Sequence, residues 1–552
     1  MKRDPQLLKN KEFDVIIVGA GIYGAFAAWD AAMRGLKVAL IDKGDFGSAT
    51  SSNSLKIIHG GLRYLQHMDF IRMRESIRER RNMMAMAPHL AHPMPCVMGT
   101  YGHMVKGPEA MRVALLLNDL VSWDRNRIKD KQKHLPAGKI ISRKKLLEKV
   151  PYIEQERLNG GAVWYDGIMS NSERLLLSVV RAAEEQGAVV LNYAQADEFL
   201  IENHSVTGVQ ITDQANQESF TVRTRTVLNT AGPWVNNLIK TLPGGDDVIN
   251  YSTAMNLIID RQFSDYAFGA STKSTFSDDD AFIKRGSRLL FIVPWNGKSM
   301  VGTAHKPFSG DPETFRPSNE DVSEFLEEVN SALPGADISM QEVIRVPYGL
   351  LPMASVHENS GDVQLEKHYR IIDHAQENGL QNIYSLVSVK YTTARDVAEK
   401  AIDKIAGQLN NHELSKTSTR RVWGGDLDNY VDFMSKTDGH DVQETVINHL
   451  KKEYGSRYKE VMELHHPNNE QLQPLAPDTQ VTAAEILYAV RYEMALHLAD
   501  ILLRRTALAA TECPQDDVIK RAADIAGKEL GWTEKIRQQE INQVKEYAGF
   551  IM

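Results

Sequence analysis

Gly19-Ala20-Gly21-Ile22-Tyr23-Gly24 and Asp42 are the first residues of this chain whose types and spacing suit a defined chemistry. Glycine at the first position permits a tight turn. At the second it lets a pyrophosphate approach the backbone, and at the third it lets a helix pack closely on a strand. Asp42, eighteen residues beyond Gly24, is placed to hydrogen-bond a ribose hydroxyl. The chemistry is capture of a dinucleotide, and this motif leaves NAD and FAD equally open.

The elements that must position these residues surround them. Phe13-Asp14-Val15-Ile16-Ile17-Val18 is a short run rich in β-branched residues, as a buried parallel strand should be. Residues 25–34 are alanine-rich and expected to be helical, with Gly35 as the stop. Leu36 to Ile41 reads as a second strand that ends at Asp42. A helix starting beside the glycines turns its free N–H groups and the positive end of its dipole toward the phosphates.

A longer run follows: Thr50-Ser51-Ser52-Asn53-Ser54-Leu55-Lys56-Ile57-Ile58-His59-Gly60-Gly61-Leu62-Arg63-Tyr64-Leu65. Its hydroxyls at Thr50, Ser51, Ser52 and Ser54 offer donors to a pyrophosphate, and Gly60-Gly61 permits close backbone approach to a flat ring. This run resembles the flavin-binding signature of the FAD-dependent glycerol-3-phosphate dehydrogenases. The similarity continues in Trp164-Tyr165-Asp166-Gly167, Ser172-Glu173-Arg174-Leu175 and Val227-Leu228-Asn229-Thr230-Ala231-Gly232-Pro233-Trp234. It extends through Phe291-Ile292-Val293-Pro294-Trp295, Val301-Gly302-Thr303, Val389-Lys390-Tyr391-Thr392-Thr393-Ala394-Arg395, Val490 to Ala495 and Arg504-Arg505-Thr506.

The resemblance implies an α/β fold: a Rossmann-type FAD-binding domain, a sheet-based substrate domain and an all-α C-terminal domain. The flavin domain would comprise residues 1–95, 160–240 and 355–407, the substrate domain 96–159 and 241–354, and the helical domain 408–552. FAD is the implied cofactor. Its contacts would be Gly19, Gly21, Ile22, Tyr23 and Gly24 in the turn, with Asp42 and Lys43 after the second strand. The hydroxyl run would add Thr50, Ser51, Ser52, Ser54, Lys56, His59, Gly60, Gly61 and Leu62, and later segments Ala196, Gly232, Lys390, Tyr391 and Thr392.

The implied reaction is oxidation of a secondary alcohol by hydride transfer to flavin N5, with sn-glycerol 3-phosphate going to dihydroxyacetone phosphate. Lys390 would place positive charge near N1 and C2=O, Arg63 would clamp an anionic group bidentately, and His59 could shuttle a proton. Tyr64, Asn256 and Leu351 fall at further substrate-side positions. Four positions depart from the family pattern. Leu351 stands where an arginine before proline is usual, Asn256 replaces a histidine, His305 an aspartate, and Ser388-Val389 a glycine pair. Arg285, Arg288 or Arg345 could restore the lost charge. These departures leave two alternatives: an enzyme of the same architecture acting on another hydroxylated or amine substrate, and a flavin-binding protein without catalysis.

Composition bounds the rest. At 552 residues the chain should divide into two or three domains. A net charge of −8 argues against a nucleic-acid binder, whose affinity comes from neutralising phosphates. Cys96 and Cys513 alone make neither a disulfide framework nor a cysteine zinc site, and no metal is expected. No cysteine cluster supports an iron–sulfur relay, so quinone, oxygen or a protein stay open as electron acceptor. The polar start and the lack of any run near about 18 apolar residues point to a cytoplasmic protein, with peripheral contact at the inner membrane face. Two stretches suit a surface role. Arg63 to Arg81 reads as a basic amphipathic helix, either solvated or bound to anionic headgroups, and Ala110 to Trp123 reads as an apolar helix that could equally be core.

Overall fold

The computed structural model describes residues 1–9, 11–104, 107–275, 287–357, 361–436, 442–464, 472–506 and 508–548. They fall into two compact units. The first gathers Met1–Ser52, Asn171–Asn250 and Glu366–Ala548; the second gathers Asn53–Ser170 and Tyr251–Leu365.

In the first unit the described strands form a six-stranded sheet in the order Arg370–Asp373, Ile383–Val387, Val227–Asn229, Val15–Val18, Val38–Ile41, Val189–Leu191. All neighbours are parallel except the outer pair of Arg370–Asp373 with Ile383–Val387. Val15–Val18 and Val38–Ile41 are buried along their whole length, as apolar β-branched runs covered on both faces must be. The helix Ile22–Met33 packs against the helices Ser172–Glu185 and Ala394–Gln408. It starts three residues earlier than the alanine-rich stretch suggests, so Gly24 lies inside it, and Gly35 ends it at φ +80°. A smaller four-stranded sheet, Glu12–Phe13, Glu218–Thr224, Ser205–Asp213 and Ala194–Glu202, adjoins the same core.

The C-terminal part of this unit is helical, with Glu444–Tyr454, Ala483–Tyr492, Asp516–Leu530 and Glu534–Ala548. The spacing of apolar residues predicts one helix across Ala483–Arg505. Instead the chain breaks at Met494, which adopts φ +55°, and resumes as a wide turn over Asp500–Arg505. There the Thr506 N–H donates to the Ile501 carbonyl five residues back. The break lets Glu493 reach the buried Arg174, a partner that no local pattern reveals.

The second unit is built on a large sheet following the path Val363–Leu365, Tyr348–Val356, Asn250–Ile259, Lys298–Ala304, Ser287–Trp295, Ala267–Thr275, Ala91–Tyr101, Leu158–Met169, Ile57–Ile58. Its core packs against the helix Asn319–Ala332. Residues 53–95 belong to this unit because Ile57–Ile58 pairs with Gly167–Ile168 and the helix Phe70–Met86 packs on Ala91–Tyr101 and Leu158–Met169.

That helix corrects one reading of the sequence. Arg72 and Arg80 are buried, Arg74 forks onto Asp124 at 2.6 and 2.8 Å, Arg81 reaches Asp124 at 2.6 Å, and Arg80 grips Asp166. Much of the basic stretch is thus drawn into ion pairs within the unit, while Arg74 and Arg78 keep 38% and 42% of their side chains exposed. The other stretch behaves oppositely. In Pro108–Val121 only Leu115 is buried, while Val113, Leu116, Leu117 and Leu120 form an exposed stripe that Trp123 extends.

Candidate active site

The first unit carries a cradle shaped by its glycines. Gly19 adopts φ +102°, and a Cβ there would lie 2.6 Å from the Thr230 carbonyl oxygen. A Cβ on Gly24 would lie 1.9 Å from the Gly19 carbonyl oxygen, so helix and strand touch only because that atom is missing. A Cβ on Gly21 would meet nothing closer than Ser51 Oγ at 3.2 Å. The same Ser51 Oγ accepts from the Ile22 N–H at 3.1 Å, which puts a hydroxyl at the helix start where a phosphate oxygen would be received. Ser52 instead spends its proton on the Gly47 carbonyl, at 2.5 Å. Thr50 lies in the same short turn.

Asp42 closes the far end. Its carboxylate accepts from the Ala20 N–H at 2.6 Å and the Gly44 N–H at 2.9 Å. Burial pushes the carboxyl up to about 6, the neighbouring Asp45 charge adds to that, and the two N–H donors and Lys43 oppose it. Lys43 Nζ sits 3.8 Å over the Trp234 ring, just past the turn at Gly232, whose φ is +57°. Ala196 lies on the smaller sheet, opposite Ile211. An ionised Asp42 is the form that accepts ribose hydroxyls, and a proton competes for it once the pH falls below about 6. Dinucleotide affinity is therefore expected to drop about fivefold from pH 6 to pH 5, and Asp42→Asn should abolish that acid limb. Titration of the apoprotein across this range checks it.

The third wall comes from the segment after Ile383–Val387. The Tyr23 hydroxyl donates to the Lys390 carbonyl at 2.5 Å and lies 2.9 Å from Ser388 Oγ. The Tyr391 hydroxyl donates to the Ser172 carbonyl at 3.0 Å, and Thr392 is buried just ahead of the helix Ala394–Gln408. Glycine turn, buried acid at a strand end, hydroxyl turn and uncapped helix start thus occur in one compact unit. A two-phosphate, adenosine-containing cofactor fits them.

The second unit holds the other sequence candidates. The Gly60 N–H donates to Asp166 Oδ1 at 2.5 Å, and Trp164 Nε1 donates to Asp166 Oδ2 at 2.9 Å. Asp166 thus fixes the glycine pair, a role sequence reasoning missed although the residue stands in a matched motif. The space beside Gly60 and Gly61 belongs to the protein itself: an added Cβ would meet Arg80 Nη1 at 2.2 Å in one case and the Tyr64 ring at 2.5 Å in the other. A side chain at either position would displace these neighbours, so both positions require glycine. His59 meets the Tyr64 ring edge-on at 5.9 Å, and Arg72 lies 4.7 Å over that ring. Burial pushes the Tyr64 hydroxyl up to about 12. Lys56 is buried, with φ +60° and its ammonium 5.2 Å over Trp295; Ser54 Oγ accepts from the Lys56 N–H.

Asn256 is occupied at both ends. Its amide donates to the Asn53 carbonyl at 3.0 Å, and its Oδ1 accepts from Thr303 Oγ1 at 2.9 Å. It ties the segment at Asn53 to the strand at Thr303. His305 Nδ1 lies 3.0 Å from the Thr253 carbonyl and so carries the ring proton, leaving Nε2 as an acceptor. Burial, joined by the charges of Arg288 and Arg63 and opposed by the hydrogen bond to Thr253, lowers its basicity to about 4. Both guanidinium groups therefore act on one neutral imidazole. Arg63 is exposed in the turn Leu62–His67, whereas Arg288 also pairs with Glu328 at 3.2 Å. Leu351 lies half-buried on Tyr348–Val356, and Arg345 on Val343–Arg345; Arg285 is outside the described residues.

Comparison with known proteins agrees with this arrangement. The family model of FAD dependent oxidoreductases matches residues 14–384, and that of the C-terminal domain of alpha-glycerophosphate oxidase matches residues 415–537. Glycerol-3-phosphate dehydrogenase from Synechocystis sp. is 30% identical, over 99% of this chain and 98% of its own. The mitochondrial glycerol-3-phosphate dehydrogenase of Macaca fascicularis is 27% identical, over 100% of this chain and 75% of its own. The glycerol-3-phosphate dehydrogenase from Bacillus halodurans complexed with FAD shares the fold, with a TM-score of 0.75 at 24% identity, covering 98% of this chain and 95% of that one. With the family model matched over residues 14–384 and the Synechocystis relative matched over nearly the whole of both chains, the chain is an FAD-dependent oxidoreductase of the glycerol-3-phosphate dehydrogenase family.

Proposed function

We propose that the enzyme oxidises sn-glycerol 3-phosphate to dihydroxyacetone phosphate. The observation that carries this reading is the correspondence with the Synechocystis glycerol-3-phosphate dehydrogenase over nearly the whole of both chains. Bound FAD supplies a two-electron acceptor that takes a hydride at N5. The protein must hold the phosphate, orient the carbinol C–H and receive the hydroxyl proton. Arg63 holds the phosphate, with Arg288 adding positive potential in the same unit in place of the charge missing at Leu351. His59 receives the proton, and Lys390 provides positive charge for the reduced cofactor. The first unit's three segments supply the flavin site, and the helices Glu444–Tyr454, Ala483–Tyr492, Asp516–Leu530 and Glu534–Ala548 form its cap.

A second reading, oxidation of another hydroxylated substrate, is favoured by Leu351, an apolar side chain where the family pattern has a guanidinium. Anaerobic flavin bleaching separates the two. Glycerol 3-phosphate should reduce the flavin at least 100-fold more efficiently than glycerol. Equal or faster bleaching by an unphosphorylated polyol would overturn the phosphate assignment.

We also propose that the enzyme rests on a membrane surface through the helix Pro108–Val121. Among the described residues no helix is long and apolar enough to cross a membrane. The stripe Val113, Leu116, Leu117, Leu120 nevertheless faces outward, with Leu116 65% and Leu120 71% exposed. The neighbouring start of Phe70–Met86 adds exposed Phe70 and Ile71, and Arg127 stacks 4.1 Å over the exposed Trp123. Apolar residues at one-turn spacing beside basic and aromatic ones suit the headgroup–acyl boundary. Leu116→Glu with Leu120→Glu should cut sedimentation with anionic vesicles at least tenfold while activity with a soluble acceptor persists. Unchanged sedimentation would remove the helix from this role.

A further inference from the structure

The loop behind the ribose-facing acid is gripped from the far end of the chain. Asp45, buried three residues past Asp42, receives both Nη atoms of Arg505 at 2.7 Å, one on each carboxylate oxygen. Arg504 Nε adds a bond at 2.6 Å, and Asn192 Nδ2 another at 3.1 Å. The arginines are themselves fixed. Arg504 Nη2 donates to Asp500 Oδ1 at 2.6 Å, and Arg505 Nη2 donates to the Glu493 carbonyl at 2.9 Å. Asp500 also accepts from the Tyr193 hydroxyl at 2.6 Å. A bidentate pair of this kind fixes orientation as well as charge.

From Asp45 the restraint runs straight into the cofactor cradle. The Gly44 N–H donates to Asp42, the Gly44 carbonyl accepts from the Tyr193 N–H at 2.9 Å, and the Gly47 N–H donates to the Ala20 carbonyl at 3.1 Å. Residues 42–47 are thus tied to the glycine turn on one side and to the wide turn Asp500–Arg505 on the other. Wide turns of this type recur where function displaces regular helix. One acid suffices for a ribose. A second buried acid so close opposes ionisation of the first, as Asp45 does for Asp42, and two guanidinium groups offset part of its charge.

We propose that Arg504 and Arg505 are positioning residues for the flavin cofactor: by holding Asp45 they set the Asp42–Gly47 loop for the adenosine half, so that FAD binding and seating of the C-terminal wide turn are one coupled equilibrium. Coupling of this kind is reciprocal, and FAD must steady the turn as much as the turn favours FAD. The inference depends on flavin binding and not on the identity of the substrate.

Hydrogen exchange on the wild-type enzyme, FAD-loaded and stripped, tests it without substitution. Amides of residues 500–506 should exchange at least fivefold more slowly with FAD bound, and equal rates would overturn the proposal. Arg505→Gln should raise the Kd for FAD about tenfold or more, measured by flavin fluorescence during titration of the apoprotein, with Arg505→Lys recovering part of the loss. The acid limb of FAD affinity should also move upward by at least half a pH unit in Arg505→Gln. Asp45 then keeps Arg504 alone as its cationic partner, so more of its charge bears on Asp42, against which Lys43 and the Ala20 and Gly44 N–H groups act. A folded Arg505→Gln protein with wild-type FAD affinity and an unmoved acid limb would reduce the pair to a fold staple. Should that variant not fold, the wild-type exchange result decides.

Discussion

Gly24→Ala is expected to yield a folded protein that purifies colourless, with FAD affinity reduced at least 100-fold. The added Cβ would lie 1.9 Å from the Gly19 carbonyl oxygen and 2.7 Å from Thr230 Oγ1. Neither partner can give way. Gly19 is held at φ +102° with its N–H on the Ile41 carbonyl, and Thr230 sits on the Val18 carbonyl. Relief requires the helix Ile22–Met33 to slide off the strand, carrying its N-terminal N–H groups away from the pyrophosphate. Losing two charge-assisted hydrogen bonds at roughly 1.5–3 kcal/mol each accounts for a factor of 100 or more. The flavin-to-protein absorbance ratio and a titration of the purified protein measure it. Gly21→Ala provides the contrast, because its new Cβ meets only a rotatable serine hydroxyl at 3.2 Å. Any loss there reports crowding of the phosphate itself. Stoichiometric yellow Gly24→Ala protein would mean that the cradle has been misplaced.

Arg63→Ala should leave FAD bound and raise KM for glycerol 3-phosphate by about 10- to 100-fold. The side chain is exposed, yet its charge reaches the buried His305, as expected of a guanidinium at a site that takes an anion. Removing one charge-assisted pair costs roughly 1.5–3 kcal/mol, which sets the range. Lysine at the same position keeps the charge and loses the fork, so Arg63→Lys should fall between the two. Steady-state kinetics beside flavin content separates the outcomes. Flavin loss in Arg63→Ala would make the residue structural, and an unchanged KM would place the phosphate elsewhere.

How far the sequence could be read depended on the range of the interactions involved. Gly19, Gly21, Gly24 and Asp42 were legible because a turn, a helix start and a strand end are local events with local residue requirements. The arginines of Phe70–Met86 misled for the opposite reason. Arg80 finds its acid 86 residues away and Arg74 finds Asp124 50 residues away, and a helical pattern looks the same whether such charges meet water or a carboxylate. The stripe of Pro108–Val121 was ambiguous on periodicity alone, since an apolar face is spaced identically toward core or surface. The internal partners of Asn256 and Gly60, at Asn53 and Asp166, lie 203 and 106 residues away and left no local trace. The grip of Arg505 on Asp45 spans 460 residues, beyond any motif.

The strand order of the flavin sheet bears on how the chain can be made. Val227–Asn229 is flanked by Val15–Val18 on one side and by Ile383–Val387 on the other. A nascent chain paused before residue 383 therefore has the whole glycine turn on the ribosome and still leaves a bare parallel edge next to it. Such an edge invites other polypeptides until the last strand arrives. Truncation products ending within the first two-thirds of the gene should accordingly be aggregation-prone and flavin-free, and loading with the cofactor should follow synthesis rather than accompany it.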